Sequence, residues 1–480
     1  MKTLIKNLLK TTPKFYGFAA SANKRIVCEI KILKQFGLGS AYRKLRGRKP
    51  QWQKILPIQK PRRVEIASGE VGPECDLLTF LKLHKVDFEE GGHTFYLPPE
   101  SLQKSPFKDV IQIYPANVGL KISKNQGGVE ESRYVTGSQH SAIQKMFLYS
   151  HRHLMLVAAF LRLQRLGPRL YDLIEIQSGT VVWTGYIVSH CAGRAPTLAE
   201  CKTGINHLKN LVEDKQLEVV APGGFENMDF QCPKCNNNCI MDSSSGNFQY
   251  IDFQNFILPS YGKYLEGLAL KAASDTHFGE KSILRGGKYL YQSVPAVDLP
   301  AKRCIESRIP VMKDLLKQAN LLIDGKVVLD FGCNIGMMIA QYLKMGALWC
   351  HGWDLDRVTA HTETLLLALG CTRFSLTSGA ISNDQPVESD LSLGVRKQLD
   401  NCVISYLAIR GHIQWIAALG RLPWEFMIYE GHEEETISDL ERNLKELNGL
   451  TPVALVTAAT YKDGDSDPRT IAIIRRGKAS

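Results

Sequence analysis

Beyond residue 310, short apolar runs alternate with longer stretches whose apolar positions recur every three or four residues. Residues 326–331 (KVVLDF) read as a buried strand, 337–347 (MMIAQYLKMGA) as a helix and 349–354 (WCHGWD) as a second strand. Residues 401–409 and 425–429 give a third and a fourth strand, and 452–457 with 471–475 a closing pair. Strands separated by helical stretches predict a doubly wound, Rossmann-like α/β sheet. Upstream the pattern differs. Strand-like pieces at 93–98, 109–115, 118–123, 173–179 and 180–189 surround one long helical stretch, 139–164. A helix over 197–213, an irregular Cys- and Asn-rich segment and a hairpin over 239–253 follow, which predicts an α+β region. The Pro-punctuated stretch PIQKPRR at 57–63 marks a boundary. The expected division is an arm over 1–63, an α+β domain over 64–275 and an α/β domain over 276–480.

Charge sharpens that division. The chain of 480 residues carries a formal +11, yet residues 1–63 hold 17 Lys/Arg against one acid, Glu29. The remainder holds 42 Lys/Arg against 47 Asp/Glu. Leu4, Ile5, Leu8 and Leu9 share a helical face beside Lys2, Lys6 and Lys10, the pattern of a helix lying on an anionic membrane surface. Nucleic acid, an acidic protein face, or a merely solvated arm fit the same charge. The longest apolar run, 154–161, is far below the ~18 residues of a spanning helix, so no transmembrane segment is expected. The 12 cysteines are scattered and no secretion signal is evident, which predicts reduced thiols and a cytoplasmic protein, peripheral at the inner membrane face if the arm binds lipid.

The chemistry concentrates after the first strand. Asp330 ends it, the turn Gly332-Cys333-Asn334-Ile335-Gly336 leads into the helix, and Asp354 ends the second strand. A terminal acid of that kind accepts hydrogen bonds from a ribose diol, whereas an aspartate before the turn repels a pyrophosphate and suits a cationic ligand. The D-x-G-x-N-x-G spacing resembles motif I of class I S-adenosylmethionine-dependent methyltransferases, with Asn334 where the family usually has its middle glycine. The resemblance implies S-adenosylmethionine held by Asp330, Gly332, Asn334, Gly336 and Asp354. It also covers 289–308 (YLYQSVPAVDLPAKRCIESR), implying that Arg308 or Gln292 meets the cofactor carboxylate. Carboxyl ends of the later strands bring His412, Glu430 and His432 to the crevice. A hydroxyl acceptor needs a base, for which His412, His432 or Glu430 are candidates, and a phosphate acceptor needs none.

The middle region resembles protein-kinase-like folds from Asn238 to Asp252-Phe253. That resemblance implies ATP and Mg²⁺, with Asn238 and Asp252 on the metal, Asp229 orienting the acceptor hydroxyl and Lys121 of VGLKIS neutralising phosphate. Cys232, Cys235 and Cys239 form a zinc-type knuckle that needs a fourth ligand, for which Cys191, Cys201 or His207 are available. Together the parts resemble the bifunctional kinase-methyltransferases of bacterial O-antigen synthesis, in the reverse domain order. The implied acceptor is a glycan or lipid-linked sugar of a cell-surface polysaccharide, modified at the membrane with residues 1–63 as anchor. Two alternatives remain open: a methyltransferase with a substrate-binding pseudo-kinase acting on RNA or a small molecule, and a non-enzymatic membrane-associated scaffold.

Overall fold

The computed structural model describes residues 59–65, 77–90, 94–129, 133–134, 149–214, 216–219, 239–251, 256–258, 261–275, 290–294, 297, 301–384, 387–432, 434–462 and 468–477. Most of the basic arm, Asp229, Cys232, Cys235, Asn238 and Asp252 lie outside them. The described residues fold as two compact units. One comprises those within 133–168 and 191–261, the other those within 56–132, 169–190 and 262–480. Segment 64–275 is therefore shared between them.

In the first unit the helix expected over 139–164 is His151–Leu163, whose residues 154–161 are all buried; Tyr149–Ser150 is a short strand, and 139–148 lie outside the described residues. The helix Leu198–Glu213 starts on a capping box, with Thr197 Oγ1 accepting the Glu200 N–H and the Glu200 carboxylate accepting the Thr197 N–H. The expected hairpin forms as Cys239–Asp242 against Phe248–Tyr250, antiparallel. Gly204 lets the helix meet it: a Cβ there would lie 2.4 Å from Cδ1 of Phe248.

The second unit carries two sheets. The smaller comprises β1 (Arg62–Glu65), β2 (Glu89–Glu90), β3 (Thr94–Leu97), β4 (Val118–Gln126), β5 (Leu170–Ser178) and β6 (Val181–Ser189), ordered β1-β5-β6-β4-β3-β2. All pairs are antiparallel except β1 with β5. The strand expected over 109–115 is instead the short helix Lys108–Ile111. Its apolar residues fit either period in so brief a run, and the Ser105 hydroxyl, accepting the Phe107 N–H at 3.1 Å, starts the turn.

The larger sheet comprises β7 (Val327–Phe331), β8 (Trp349–Asp354), β9 (Phe374–Ser378), β10 (Cys402–Leu407), β11 (Trp424–Glu430), β12 (Val453–Lys462) and β13 (Pro468–Arg476). Its order is β9-β8-β7-β10-β11-β13-β12, with the first five parallel and β13 antiparallel to both neighbours. Helices α1 (Ile305–Gln318), α2 (Met337–Lys344), α3 (Asp356–Ala368) and α4 (Ile437–Leu450) accompany it. Every residue of β7 is buried, as a strand covered on both faces requires. The chain leaves β7 for β8 on one side and reaches β10 on the other, so the strand order reverses at β7. This is the switch point where open α/β sheets leave a crevice at their carboxyl ends.

Both sheets contribute to one hydrophobic core, with Leu97, Leu120, Ile122 and Ile187 from the smaller and Leu329, Phe331 and Trp353 from the larger. A buried polar knot joins them. Asp172 of β5 accepts from Gln59 Nε2 at 2.7 Å and from the Tyr114 hydroxyl at 2.6 Å, and its carboxylate stands 3.3 Å from Nε of Arg373. Gln59 Oε1 in turn accepts the N–H groups of Thr372 and Arg373. Among the described residues no helix is long and apolar enough to cross a membrane.

Candidate active site

At the carboxyl end of β7 the chain must turn sharply into α2. Gly332 (φ +75°), Asn334 (φ +50°) and Gly336 (φ +82°) all adopt left-handed backbone there. Asparagine tolerates that region better than other non-glycine residues, which explains how Asn334 keeps the turn. The two glycines are also confined by packing. A Cβ on Gly332 would lie 2.6 Å from Ile409 Cδ1, and one on Gly336 2.7 Å from Thr362 Cγ2.

The two acids flank this turn. Asp354, at the end of β8, accepts the Asn334 N–H on Oδ2 at 2.7 Å and the Leu355 N–H on Oδ1 at 2.8 Å. Those bonds fix its carboxylate beside the turn while it stays partly accessible. Burial raises its pKa, against the pull of the two N–H groups. Asp330 is 2% exposed. Its Oδ1 accepts from Ser405 Oγ at 2.6 Å, and with that proton committed the Tyr342 hydroxyl donates to Ser405 at 2.8 Å. Asp330 Oδ2 is buried without a hydrogen-bond partner. Desolvation pushes the Asp330 carboxyl up to about 7, with the negative Asp354 adding to it and Ser405 and Arg308 opposing. A buried carboxylate with one unsatisfied oxygen is a position that a cation completes. The donor set thus fits a sulfonium cofactor bearing an ammonium group.

Gln292 and Arg308 both lie at this end of the sheet, engaged within the protein. Gln292 Oε1 accepts the Met337 N–H at 3.3 Å, so it caps α2, and its amide nitrogen remains the group suited to a carboxylate. Arg308, expected to reach the cofactor, clasps Glu430 instead, with Nη2 3.1 Å from Oε1 and Nε 2.8 Å from Oε2. Tyr461 donates to Glu430 Oε2 at 2.6 Å and Arg469 Nη1 to Oε1 at 3.1 Å. Glu430 is 0% exposed and saturated with donors, an arrangement that leaves it no lone pair aimed at an acceptor.

The two candidate histidines meet. His412 follows β10, His432 follows β11, and their rings stand edge to face with centroids 5.1 Å apart. Gly411 permits it, since a Cβ there would lie 2.3 Å from His432 Nε2. His412 is exposed and His432 half-buried.

The kinase-type residues are less fully placed. Lys121 lies on β4, in register with Tyr96 of β3 and Tyr186 of β6. Asp229, Asn238 and Asp252 fall outside the described residues. Of the knuckle cysteines only Cys239 is described, buried at the start of its strand, and among the described residues no three His, Cys, Asp or Glu are arranged to hold a metal ion. Sequence reasoning missed Ser405, Tyr342, Tyr461 and Arg469, which bear on the site only through long-range packing.

No protein-family model and no curated protein matches the chain. Solved structures do, and methyltransferases are among them. Magnesium protoporphyrin IX methyltransferase from Synechocystis PCC 6803, with bound S-adenosylmethionine, is 15% identical over 35% of this chain and 77% of its own, with a TM-score of 0.26. An S-adenosylmethionine-dependent methyltransferase from Mesorhizobium loti is 12% identical over 34% of this chain and 95% of its own, with a TM-score of 0.25. The bifunctional kinase-methyltransferase WbdD is 18% identical over 41% of this chain and 45% of its own, with a TM-score of 0.29.

Proposed function

We propose that the chain transfers a methyl group from S-adenosylmethionine, bound at the carboxyl ends of β7 and β8. The observation that carries this is Asp330, buried beside a left-handed glycine turn with one oxygen unsatisfied, opposite a second strand-end acid, Asp354. The cofactor supplies an activated methyl on a cationic sulfur. The protein's residues bind and orient: Asp330 answers the ammonium group, Asp354 the ribose hydroxyls, and the Gln292 amide the carboxylate. Positioning of this kind accounts for most of the rate in such a displacement. For a hydroxyl acceptor, His412 and His432 are the candidates for taking the proton, whereas Glu430 is saturated by its own donors. Isothermal titration with S-adenosylmethionine tests the assignment. Binding that Asp354→Ala weakens supports it, and a wild-type chain that binds none rules it out.

The finer reading keeps a kinase-like domain over 64–275. Its support is Lys121 on a central strand of an antiparallel sheet, and a hairpin leading toward Asp252. On this reading Asn238 and Asp252 hold Mg²⁺ with ATP, Asp229 orients the acceptor, and the acceptor is a glycan on a lipid carrier. The basic arm over 1–63 holds the enzyme to anionic membrane. RNA is the competing partner for that arm. Flotation with anionic liposomes, with and without residues 1–63, separates the two, and ATP turnover lost in Asp252→Ala tests the phosphotransfer.

A further inference from the structure

Glu430 lies at the centre of a buried charge cluster built from four elements: Arg308 from α1, Glu430 from β11, Tyr461 from β12 and Arg469 from β13. Two guanidinium groups share this one carboxylate, and all three charged side chains are at most 4% exposed. Asp330 stands on the same face of the sheet with β10 between: it is in register with Ser405, and Ser405 with Ile428, two residues before Glu430 on β11. The Arg308 charge acts on it from there. We propose that Glu430 is a positioning residue of the methyl-donor site: by holding Arg308 and Arg469 it fixes how much positive charge reaches Asp330 and the cation that Asp330 receives. This rests on the donor-site assignment above.

The geometry favours this role over a base. Arg308 grips Glu430 with two nitrogens, so its guanidinium is committed to that carboxylate. Arg469 Nη1 is held further by the Gly431 carbonyl at 3.1 Å. Were Glu430 neutral, two cations would stand beside a site meant for a third, and the Arg308 guanidinium would be released toward Asp330. Other groups act on Asp330 among the described residues. They are Ser405 on β10, Tyr342 on α2 through Ser405, Asp354 and Cys350 on β8, and Cys333 in the turn.

The two ends of the clamp then act with opposite sign. A cationic donor needs Asp330 ionised, so binding strengthens as pH rises through the titration of that carboxyl. Glu430→Gln raises the positive charge near Asp330. It is expected to weaken S-adenosylmethionine binding at pH 8 by on the order of tenfold and to move the pH midpoint of binding downward. Arg308→Met removes positive charge and moves that midpoint upward. The experiment is titration of S-adenosylmethionine into wild type and both variants from pH 5.5 to 8.5. Opposite midpoint shifts support the proposal. Shifts of one sign, or an unmoved midpoint with only a lower melting temperature, overturn it by reducing Glu430 to a structural ion pair. If Glu430→Gln does not fold, Tyr461→Phe replaces it, removing one donor to Oε2 and weakening binding roughly threefold. Unchanged binding in that variant overturns the proposal, whereas a wild type that binds no S-adenosylmethionine overturns the donor-site assignment itself.

Discussion

Asp172 and Asp330 are both buried strand aspartates of one compact unit, and they are finished in opposite ways. Asp172 has donors on both oxygens, from Gln59 and Tyr114, with Arg373 as counter-charge. Asp330 accepts from Ser405 on one oxygen, and its other oxygen is buried with no hydrogen-bond partner. Burial raises both pKa values, but around Asp172 two arginines and two hydrogen bonds pull back, while Asp354 adds to the rise at Asp330. A fully satisfied buried acid fastens two layers together. One left incomplete at the carboxyl edge of a switch-point strand is set up for something from outside. Burial alone therefore does not distinguish the two acids, and the tally of their partners does.

The contrast can be broken most severely at Asp172. Asp172→Ala leaves Arg373 and Tyr114 buried without their partner and is expected to cost about 3–5 kcal/mol in urea unfolding. The donor affinity of the folded fraction should not change.

Asp330→Asn should act the other way. The carboxyl's pKa is raised from 3.8 to about 7, so the folded state holds the proton more tightly than the unfolded one. That contribution to stability is complete below the unfolded value and is lost as pH rises through about 7. A side chain that cannot ionise escapes the loss. The ligand-free variant should therefore exceed wild type in stability at pH 8 by up to about 4 kcal/mol, converge with it near pH 4, and bind S-adenosylmethionine worse. Thermal unfolding at the two pH values decides it, and equal stability at pH 8 would refute the assignment of Asp330 as an incomplete acid.

Asp354→Ala removes the partly accessible acid of the pair. Hydrogen bonds to a charged group are worth about 1.5–3 kcal/mol, so calorimetry should register roughly ten- to a hundredfold weaker donor binding. The smallest effect is expected at the exposed ion pair of Lys60 with Asp324, where Lys60→Ala should leave the unfolding free energy unchanged to within about 0.5 kcal/mol in urea unfolding.

Much of the larger sheet was legible because its signals are local. The apolar run ending in Asp330, the two glycines and the acid at Asp354 each follow from strand period and turn stereochemistry over a few residues. The closing pair, β12 and β13, and the hairpin at 239–250 were equally readable. The strand expected over 109–115 was not, because a short apolar run carries no period that separates strand from helix. The pairing of Arg308 with Glu430 was not legible either. Chain position brought both to the right edge of the sheet, yet nothing in either neighbourhood announces that they bind each other.

The sequence by itself determined the turn, its flanking acids and the alternation that makes the doubly wound sheet, since these depend on backbone sterics and on hydrophobic period within one or two elements. Only the tertiary structure decided which polar groups are satisfied. Gln59 and Asp172 are 113 positions apart, Arg308 and Glu430 122, Asp330 and Ser405 75. Partners at such separations meet through strand order and packing, and burial then makes each pairing, or its absence, count for far more than it would in water.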